Sequence, residues 1–314
     1  MNRILILGGS GFIGSNLAKT LVDKGRNPRI FTRPSVSVSN IEDILERVDL
    51  VYGDYMDDVA LRKALDGIDT VFHLVSTTFP GMTIESSVYD VLSNLLPTIR
   101  LLEICISNGV KKIVYASSGG TIYGEPSKTT ISEDHQLLPK SAYGQSKLTI
   151  ENYLRFYART TELEVNILRI SNPFGPRQNP YGIQGLIAVA MGCAYNGRTV
   201  KIFGKGETVR DYIYIDDVID ALLLAAKRPG SFITNISTGK GYSVVEIIDA
   251  IEKVTGKVIR REFVPMRKGD VTINVLENRL AYEIYGWKPK TRIEDGLSNT
   301  WEWIKKRFAM QSQG

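Results

Sequence analysis

The sequence predicts an α/β protein built on a doubly wound parallel sheet with helices on both faces. Two observations carry this prediction: short apolar runs alternate with helical patterns through the first half of the chain, and the first run leads into a glycine-rich turn. Such alternation is typical of βαβ units, whose crossover helices cover both faces of a parallel sheet. With 314 residues, 43% of them apolar, the chain is long enough for about two domains of ordinary globular composition.

The first half of the chain supports this fold element by element. Short apolar runs predict buried strands at Ile4–Leu7, Arg29–Thr32, Leu50–Tyr52, Thr70–Leu74, Lys112–Ala116 and Val165–Arg169. Apolar residues at helical spacing predict helices at Phe12–Lys24, Asp57–Leu65, Ser87–Ser107 and Ser141–Thr160. The first of these helices ends at Gly25 and the third at Asn108-Gly109, where glycine favours the left-handed conformation that closes a helix.

The pattern changes after the strand Val165–Arg169. Gly, Pro, Asn and Tyr crowd into Ser171–Gly185, which predicts a loop. Shorter strands and helices follow, at Thr199–Phe203, Asp217–Ala226, Tyr242–Val254 and Arg292–Lys306. We therefore expect a first domain over residues 1–171 and a smaller, mixed α/β C-terminal lobe over residues 172–314, with some later segments returning to the first domain.

Histidine and cysteine are scarce, which limits the possible chemistry. His73 and His135 are the two histidines, so metal clusters rich in histidine and histidine-dependent triads are disfavoured, and we expect no metal. Cys105 and Cys193 both have apolar neighbours, which predicts two buried free thiols in a reducing compartment and excludes a disulfide scaffold.

The charges are interspersed along the chain. The formal net charge is +5, from 39 basic and 34 acidic residues, with no basic stripe interleaved with aromatics, so we expect no nucleic-acid partner. The apolar run after Met1-Asn2-Arg3 is too short for the core of a signal peptide, and no later run approaches the length of a membrane span. We therefore expect a cytoplasmic protein without a membrane segment.

The glycine-rich turn predicts a dinucleotide site. Gly8, Gly11 and Gly14 follow the strand Ile4–Leu7 and open a helix with Phe12 and Ile13 in its first turn. A pyrophosphate can approach such a turn because side chains are absent there, and the helix N–H groups then bind it. A strand before the turn and a helix after it are the context that this motif requires in a Rossmann-type domain.

The end of the second predicted strand leaves the choice of cofactor open. An acid that bonds the adenosine ribose of NAD is expected there, but the sequence has Thr32 and Arg33. An arginine at this place could pair with the 2′-phosphate of NADP, and it could equally be a solvated loop residue. We expect NAD, with NADP as the alternative that Arg33 favours.

Tyr143 and Lys147 form a candidate catalytic pair. They lie four residues apart on a predicted helix and therefore project from one face. A tyrosine with a pKa near 10 would need about 4 kcal/mol of stabilisation of its anion to act as a base near neutrality. A nearby lysine ammonium and a positively charged nicotinamide could supply it. Hydroxyl residues at Ser117 and Ser118 follow a neighbouring strand, at the sheet edge where ligands bind in open α/β folds.

Together these segments resemble the extended short-chain dehydrogenase/reductase family, and within it the UDP-glucose (UDP-galactose) 4-epimerases. The resemblance covers nearly the whole chain and is specific in the order and spacing of its motifs. The matching segments are Gly8–Gly14, Gly53-Asp54, Phe72–Leu74, Ser117–Gly124, Tyr143–Lys147, Asn172-Pro173, Gly206–Asp217 and Arg267–Asp270.

The resemblance implies further binding residues. The cofactor site would also include Asp54 and Tyr55 beside the adenine ring, and Leu74 and Val75 along its wall. The diphosphate and uridine ribose of a nucleotide sugar would be held by Asn172, Arg210, Arg267 and Asp270. The planar guanidinium of arginine suits a diphosphate, although the residues alone leave surface ion pairs with neighbouring acids as an alternative.

One position departs from the family pattern. Counting back from Tyr123, the usual catalytic Ser or Thr falls on Gly119. Some epimerase-like sequences share this Ser-Gly-Gly form, which makes Ser118 the expected hydroxyl and Thr121 the reserve candidate. Related 4,6-dehydratases carry an Asp-Glu pair, and decarboxylases a Glu, where this chain has Gly120 and Thr121. Lyase activity is therefore disfavoured.

The resemblance implies reversible C4 epimerisation of a UDP-hexose or UDP-N-acetylhexosamine through a transient 4-keto sugar, with tightly bound NAD. Tyr143 would take the proton of the 4-hydroxyl, Lys147 would lower the tyrosine pKa and hold the nicotinamide ribose, and Ser118 would relay or orient the proton. The alternative is an NADPH-dependent reductase of a nucleotide-linked 4-keto sugar. A third possibility, a nucleotide-sensing protein without catalysis, has no need of the Tyr143 and Lys147 pair.

Two finer expectations follow from the resemblance. The helices Ser87–Ser107 and Ser141–Thr160 are similar to those that form a four-helix dimer contact in the family, so we expect a homodimer. The family's substrate-size position falls near Asn274, whose modest side chain could admit an N-acetyl group.

Overall fold

The computed structural model describes residues 3–81, 87–126, 130–266 and 271–311. Its strands are β1 (Ile4–Leu7), β2 (Arg29–Thr32), β3 (Asp49–Tyr52), β4 (Thr70–His73), β5 (Lys112–Ser118), β6 (Glu164–Ile170), β7 (Asn172–Phe174), β8 (Val200–Phe203), β9 (Val209–Tyr214), β10 (Phe232–Ile236), β11 (Gly241–Ser243), β12 (Arg261–Val264) and β13 (Ile273–Asn274). Its helices are α1 (Phe12–Asp23), α2 (Asp58–Leu65), α3 (Ser87–Asp90), α4 (Leu96–Ser107), α5 (Ala142–Thr160), α6 (Leu186–Asn196), α7 (Ile215–Lys227), α8 (Val244–Thr255), α9 (Arg279–Tyr285) and α10 (Ile293–Gln311).

The predicted doubly wound parallel sheet is confirmed. Seven strands pair in the order β10-β6-β5-β4-β1-β2-β3, and every pair is parallel. The chain winds outward in opposite directions from β1, which lies between β2 and β4. At such a switch point the crossover connections diverge and leave a crevice outside the carboxyl ends of the strands, where ligands bind.

Both faces of the sheet are buried, as the continuous apolar runs predict. Along β1, Ile4 and Ile6 belong to one core cluster and Leu5 and Leu7 to the other, because successive side chains on a strand point to opposite faces. Helices α1 and α7 pack together over the first face. Helices α2, α4 and α5 cover the second.

The second part of the chain builds smaller sheets and also returns to the large one. Strand β9 pairs with β7 and β13 in parallel and with β11 in antiparallel orientation, while β8 and β12 form a separate parallel pair. Strand β10 adds to the large sheet beside β6, and α7 packs on β5 and β6. The chain therefore leaves the large sheet after β6 and comes back to it at α7 and β10.

Several details differ from the sequence predictions. The predicted helix Ser87–Ser107 contains a π-helical turn at Val91–Leu95 between α3 and α4. Pro97 lies just beyond this turn, at the start of α4, and has no N–H to donate, so the wider turn accommodates a residue that a regular helix interior would not. The predicted loop Ser171–Gly185 contains the short strand β7, and Cys193 is half-buried rather than buried.

Candidate active site

The glycine-rich turn between β1 and α1 has a backbone that excludes side chains. Gly8 has a φ of 81°, in the left-handed region, and a Cβ added to Gly14 would lie 2.2 Å from the Gly8 carbonyl oxygen. Helix α1 begins at Phe12, and its N-cap residue, Gly11, has no side chain to cap the first N–H groups. Half-buried Phe12 and Ile13 form the helix start. These residues fit the pyrophosphate of a dinucleotide, because uncapped N–H groups at a helix N-terminus bind anions.

The strands on either side of β1 complete this end of the crevice. A Cβ on Gly8 would lie 3.2 Å from the backbone of both Leu74 and Val75, so the turn packs directly on the residues that follow β4. At the end of β2, the buried hydroxyl of Thr32 hydrogen-bonds the hydroxyl of Ser10 in the turn at 2.9 Å. The adjacent Arg33 is exposed.

The two residues predicted beside the adenine ring have different environments. Asp54 is exposed, and its carboxylate accepts a hydrogen bond of 2.8 Å from the backbone N–H of Met56. The Tyr55 ring is buried, and its hydroxyl lies 3.0 Å from both His73 Nε2 and Thr98 Oγ1. Contact of Asp54 and Tyr55 with a cofactor stays a prediction.

The catalytic candidates come together where β5 ends and α5 begins. Ser141 caps α5, which places Tyr143 in its first turn and Lys147 one turn later. The Lys147 ammonium donates a hydrogen bond of 2.9 Å to the carbonyl oxygen of Ala116 and lies 5.7 Å from the centroid of the Tyr143 ring. The side chains of Tyr143 and Ser118 share a hydrogen bond. A tyrosine, a lysine and a serine hydroxyl thus meet at the carboxyl edge of the large sheet.

The protein's own groups set the proton affinities of this cluster. Burial raises the pKa of Tyr143 to about 12, although the hydrogen bond from Ser118 favours the anion and opposes this rise. Burial lowers the pKa of Lys147 to about 8, against the opposing influence of the Asp90 and Glu151 carboxylates. In the protein alone, burial is the larger effect on Tyr143, so the lowering of its pKa by Lys147 together with a bound nicotinamide stays a prediction.

The geometry explains the departure at Gly119. A Cβ at this position would lie 2.3 Å from Leu276 Cδ1 and 3.0 Å from the Arg169 carbonyl oxygen, so a serine or threonine there would require the Leu276 side chain to move and would crowd the backbone of β6. The hydroxyl that reaches Tyr143 is that of Ser118, one residue earlier. The hydroxyl oxygen of Thr121 is buried and has no hydrogen-bond partner among the residues that the structure describes.

Two of the residues predicted for the nucleotide sugar, Asn172 and Arg210, lie on the small sheet beside this cluster. Asn172 on β7 donates a hydrogen bond of 3.0 Å to the carbonyl oxygen of Asp211 on β9. Arg210, the preceding residue of β9, pairs in register with Asn274 of β13. Asn274 is 1% exposed and donates a hydrogen bond of 3.1 Å to the carbonyl oxygen of Gly119. The remaining two predicted residues, Arg267 and Asp270, lie outside the described residues.

Comparison with known proteins identifies the family. The sequence model of the NAD dependent epimerase/dehydratase family matches residues 4–237, most of the chain. The chain belongs to this family.

Relatives in the epimerase/dehydratase family match the chain along its whole length. The solved UDP-glucose 4-epimerase of Thermotoga maritima, with UDP-glucose, is 35% identical and superposes with a TM-score of 0.92 over 98% of this chain and 99% of that one. The Thermus thermophilus UDP-glucose 4-epimerase, in complex with NAD, is 32% identical with a TM-score of 0.90 over 96% and 99%. A dTDP-4-dehydro-6-deoxyglucose reductase of Escherichia coli is 33% identical, covering 94% of this chain and 95% of its own.

The structure adds residues to the epimerase/dehydratase site that the sequence analysis missed. A small pocket beside Tyr143 and Lys147 is lined by polar residues of the helix after β4 and of the preceding loop, namely Ser76, Thr78, Asp90, Asn94 and Thr98. Asp90 and Asn94 are four residues apart, on the predicted helix Ser87–Ser107, so their spacing on one helical face could have indicated a polar face. Their burial against Lys147 depends on tertiary packing.

No group of three or more His, Cys, Asp or Glu side chains in the described part of the chain could hold a metal ion. None of the helices within the described ranges is long and apolar enough to cross a membrane.

Proposed function

We propose that this protein is a nucleotide-sugar 4-epimerase, an isomerase that interconverts C4 epimers of a UDP-hexose or UDP-N-acetylhexosamine with tightly bound NAD. The observation that carries the proposal is the cluster of Tyr143, Ser118 and Lys147 at the carboxyl edge of the sheet, next to the glycine turn. The UDP-glucose 4-epimerases with the same fold and 32–35% identity support it.

In this proposal the protein's own residues carry out the proton transfer. Tyr143 takes the proton of the sugar 4-hydroxyl and gives it back after the ring has turned, while Ser118 orients the tyrosine oxygen through their hydrogen bond. Lys147, fixed on the Ala116 carbonyl, contributes positive charge that favours the phenolate form of Tyr143, which accepts this proton and becomes a phenol. A bound nicotinamide supplies the exchange of a hydride with C4. The same groups serve both directions, as an epimerase requires.

The cofactor is proposed to be NAD, held by its pyrophosphate on Gly8, Gly11 and the start of α1. The NAD bound to the Thermus thermophilus relative supports this choice. The Thr32 hydroxyl is already hydrogen-bonded to Ser10. Arg33 is exposed at the end of β2, where an arginine would suit the 2′-phosphate of NADP, so this residue favours the alternative cofactor. Identification of the nucleotide released on denaturation tests it: NADP would overturn the proposal for NAD.

The substrate is proposed to be held on the lobe by Asn172, Arg210, Arg267 and Asp270. Asn274 is proposed to leave room for an N-acetyl group, because its side chain is small and is hydrogen-bonded to the Gly119 carbonyl oxygen. Replacement of Asn274 by Tyr should reduce turnover of UDP-GlcNAc more than turnover of UDP-glucose. Equal losses for both sugars would contradict this assignment.

The decisive experiment supplies UDP-Glc, UDP-Gal, UDP-GlcNAc and UDP-GalNAc separately and follows inversion at C4 by NMR. We expect each active sugar to reach an epimer mixture with cofactor present only in catalytic amount. Tyr143→Phe should abolish this inversion while leaving the fold intact by circular dichroism. Inversion of none of these sugars by folded wild-type protein would overturn the proposed function for UDP-sugars.

A second candidate function is the reduction of a nucleotide-linked 4-keto sugar with NADPH. Arg33 and the 33% identical reductase of Escherichia coli favour it. Net reduction consumes cofactor stoichiometrically, whereas epimerisation returns the hydride. Steady loss of NADPH absorbance with a 4-keto sugar, without inversion of any UDP-sugar, would select the reductase.

The protein is further proposed to form a homodimer through α5 and through the consecutive helical segments α3, the π turn and α4. Both present exposed apolar side chains, among them Val88, Tyr89, Leu92, Tyr153 and Phe156. Exposed apolar side chains grouped on neighbouring helices are typical of an interaction surface.

A cytoplasmic location is also proposed. Both cysteines, Cys105 and Cys193, are free thiols. Free thiols persist in reducing compartments. Fractionation of the source cells with an antibody against the protein tests the location, and recovery outside the cytoplasm would contradict it.

A further inference from the structure

Lys147 is a buried ammonium that lies near two buried carboxylates. Its hydrogen bond to the Ala116 carbonyl satisfies a donor but brings no negative charge. Asp90 at the end of α3 and Glu151 on α5 both act on it electrostatically. A buried charge is costly unless an opposite charge compensates it, so the question is which carboxylate does so.

Glu151 is already neutralised by another residue. Arg169 donates to both of its oxygens, through Nε at 3.2 Å and through a terminal nitrogen at 2.7 Å. Ser117 donates a further hydrogen bond to the same carboxylate. This bidentate pair is almost fully buried, and the charge of Glu151 is largely cancelled within it.

Asp90 differs because the groups that bond it within the described ranges are neutral. It is 2% exposed, and its two oxygens accept hydrogen bonds from Thr78 Oγ1 at 2.8 Å and from Asn94 Nδ2 at 3.0 Å. Asn94 is itself fixed by the backbone N–H of Thr77, which donates to its side-chain oxygen at 2.9 Å. These bonds hold the carboxylate in one orientation and leave its charge uncompensated.

Asp90 and Lys147 line the same pocket, together with Tyr143. Asp90 directly precedes the π turn Val91–Leu95, and Asn94 lies within that turn. A π turn inside an α-helix is frequent at functional sites, since it shifts the side chains that a regular helix would present.

We propose that Asp90 is a positioning residue whose negative charge keeps Lys147 protonated beside Tyr143. Thr78 and Asn94 fix this carboxylate, and it acts on the tyrosine through the lysine. The inference goes beyond the proposed function, because the charge state of Lys147 is a property of the protein whichever sugar it binds.

The other groups that face Lys147 do not replace Asp90. Burial, together with the charge of Lys147, lowers the pKa of His73 on β4 to about 3, so this imidazole is neutral near pH 7. Burial raises the pKa of Tyr115 on β5 well above 10, and its ring lies 4.7 Å from the lysine nitrogen as a neutral phenol. Tyr143 is likewise neutral, and Glu151 is paired with Arg169.

The direct test is the titration of Lys147 in full-length protein labelled with [13C]lysine, with Lys147→Arg used to assign the signal. In Asp90→Asn we expect the midpoint to fall by about one pH unit or more, since an opposite charge nearby changes a pKa by 1–3 units. Asp90→Glu, which retains the charge, should stay near wild type. The matched control is Asp23→Asn, which removes a surface carboxylate paired with Lys19 and should leave the midpoint unchanged.

A wild-type midpoint in folded Asp90→Asn would overturn the inference. If that variant does not fold, Asp90→Ser replaces it, and the same fall is required. The titration needs no turnover, so its result stands even if the proposed epimerase activity fails. In active enzyme, the kcat deficit of Asp90→Asn should shrink as pH falls and Lys147 regains its proton. A deficit that does not change with pH would indicate a structural defect and contradict the assignment.

Discussion

At the scale of single residues, the reactivity of Tyr143 depends on groups that oppose its burial. Burial raises its pKa to about 12, and the hydrogen bond with Ser118 is the local influence that lowers it. A phenolate beside a serine hydroxyl is stabilised because the hydroxyl can donate to it, whereas a neutral phenol gains less. We therefore expect Ser118 to influence catalysis through the pKa of Tyr143.

Replacement of Ser118 by Ala should lower kcat by about 10²-fold, the lower range for loss of a proton-transfer group. Loss of the hydrogen bond raises the Tyr143 pKa further, so the alkaline shift of the pH–rate profile is the diagnostic sign. The measurement is kcat against pH for wild type, Ser118→Ala and Ser118→Thr, and the threonine variant should retain most activity.

Thr121 provides the matched control for Ser118. Its hydroxyl oxygen is buried without a partner among the described residues, so Thr121→Val removes no hydrogen bond seen there. We expect its turnover to stay within a few-fold of wild type. If Thr121→Val lost activity and Ser118→Ala did not, the hydroxyl assignment would pass to Thr121.

At the scale of elements, the sequence predicts best where one residue type dominates a run. Strands β1 and β2 have the predicted bounds because their apolar runs end at glycine or polar residues. Strand β10 was not predicted because its buried Thr234 and Asn235 interrupt the apolar pattern. The burial of Asn235 is compensated by hydrogen bonds, since its side chain accepts from the Tyr123 hydroxyl and donates to the Ile131 carbonyl oxygen. Such compensation by distant residues is invisible in a local pattern.

For the site, as for the strands, the sequence predicts the parts that depend on local patterns. The glycine turn and the Tyr143 and Lys147 pair follow from local spacing on a strand, a turn and a helix. The crowding at Gly119 comes from Leu276 and the Arg169 carbonyl oxygen, both of which are far away in sequence. The pocket residue Asp90 depends on the packing of α3 against α5. Contacts between distant segments thus set the part of the site that sequence reasoning could not reach.

The buried pair of Arg169 on β6 and Glu151 on α5 joins two elements behind the catalytic cluster. Arg169→Met leaves the Glu151 carboxylate buried without its cation, which should lower the free energy of unfolding by about 3–5 kcal/mol. Urea unfolding followed by circular dichroism measures this loss. The double variant Arg169→Met/Glu151→Leu removes both charges and should recover part of the stability.

The control for this pair is an exposed arginine. Arg279 contacts Glu277 and Glu283 on the surface, with its side chain 70% exposed. Arg279→Met should leave the unfolding curve unchanged, because water screens exposed ion pairs. An Arg169→Met variant as stable as Arg279→Met would show that β6 and α5 do not depend on the buried pair.

At the scale of the whole molecule, two parts of the chain build one site. The large sheet contributes the glycine turn and the end of β5, while the lobe contributes Asn172 and the segment that seats Leu276 on Gly119. The chain crosses between the two parts more than once, since β10 returns to the sheet after β9. This crossing connects the lobe to the large sheet beside β6, so the residues proposed for binding and those proposed for catalysis belong to one folded unit.

The last prediction concerns the oligomeric state, which depends on the exposed apolar side chains of α3 and α5. Val88 is 71% exposed and Phe156 is 48% exposed. Covering these apolar side chains with a second copy would lower the free energy, because apolar surface would leave water. We expect sedimentation to give a particle of twice the 35.0 kDa chain mass at micromolar concentration. Leu92→Arg/Phe156→Arg places charge in this face and should yield the single-chain particle with an unchanged fold. Phe263→Arg, which alters an exposed aromatic residue on β12, should remain dimeric. A wild-type protein that sediments as a single chain would contradict the homodimer, because the exposed face would then be stable in water.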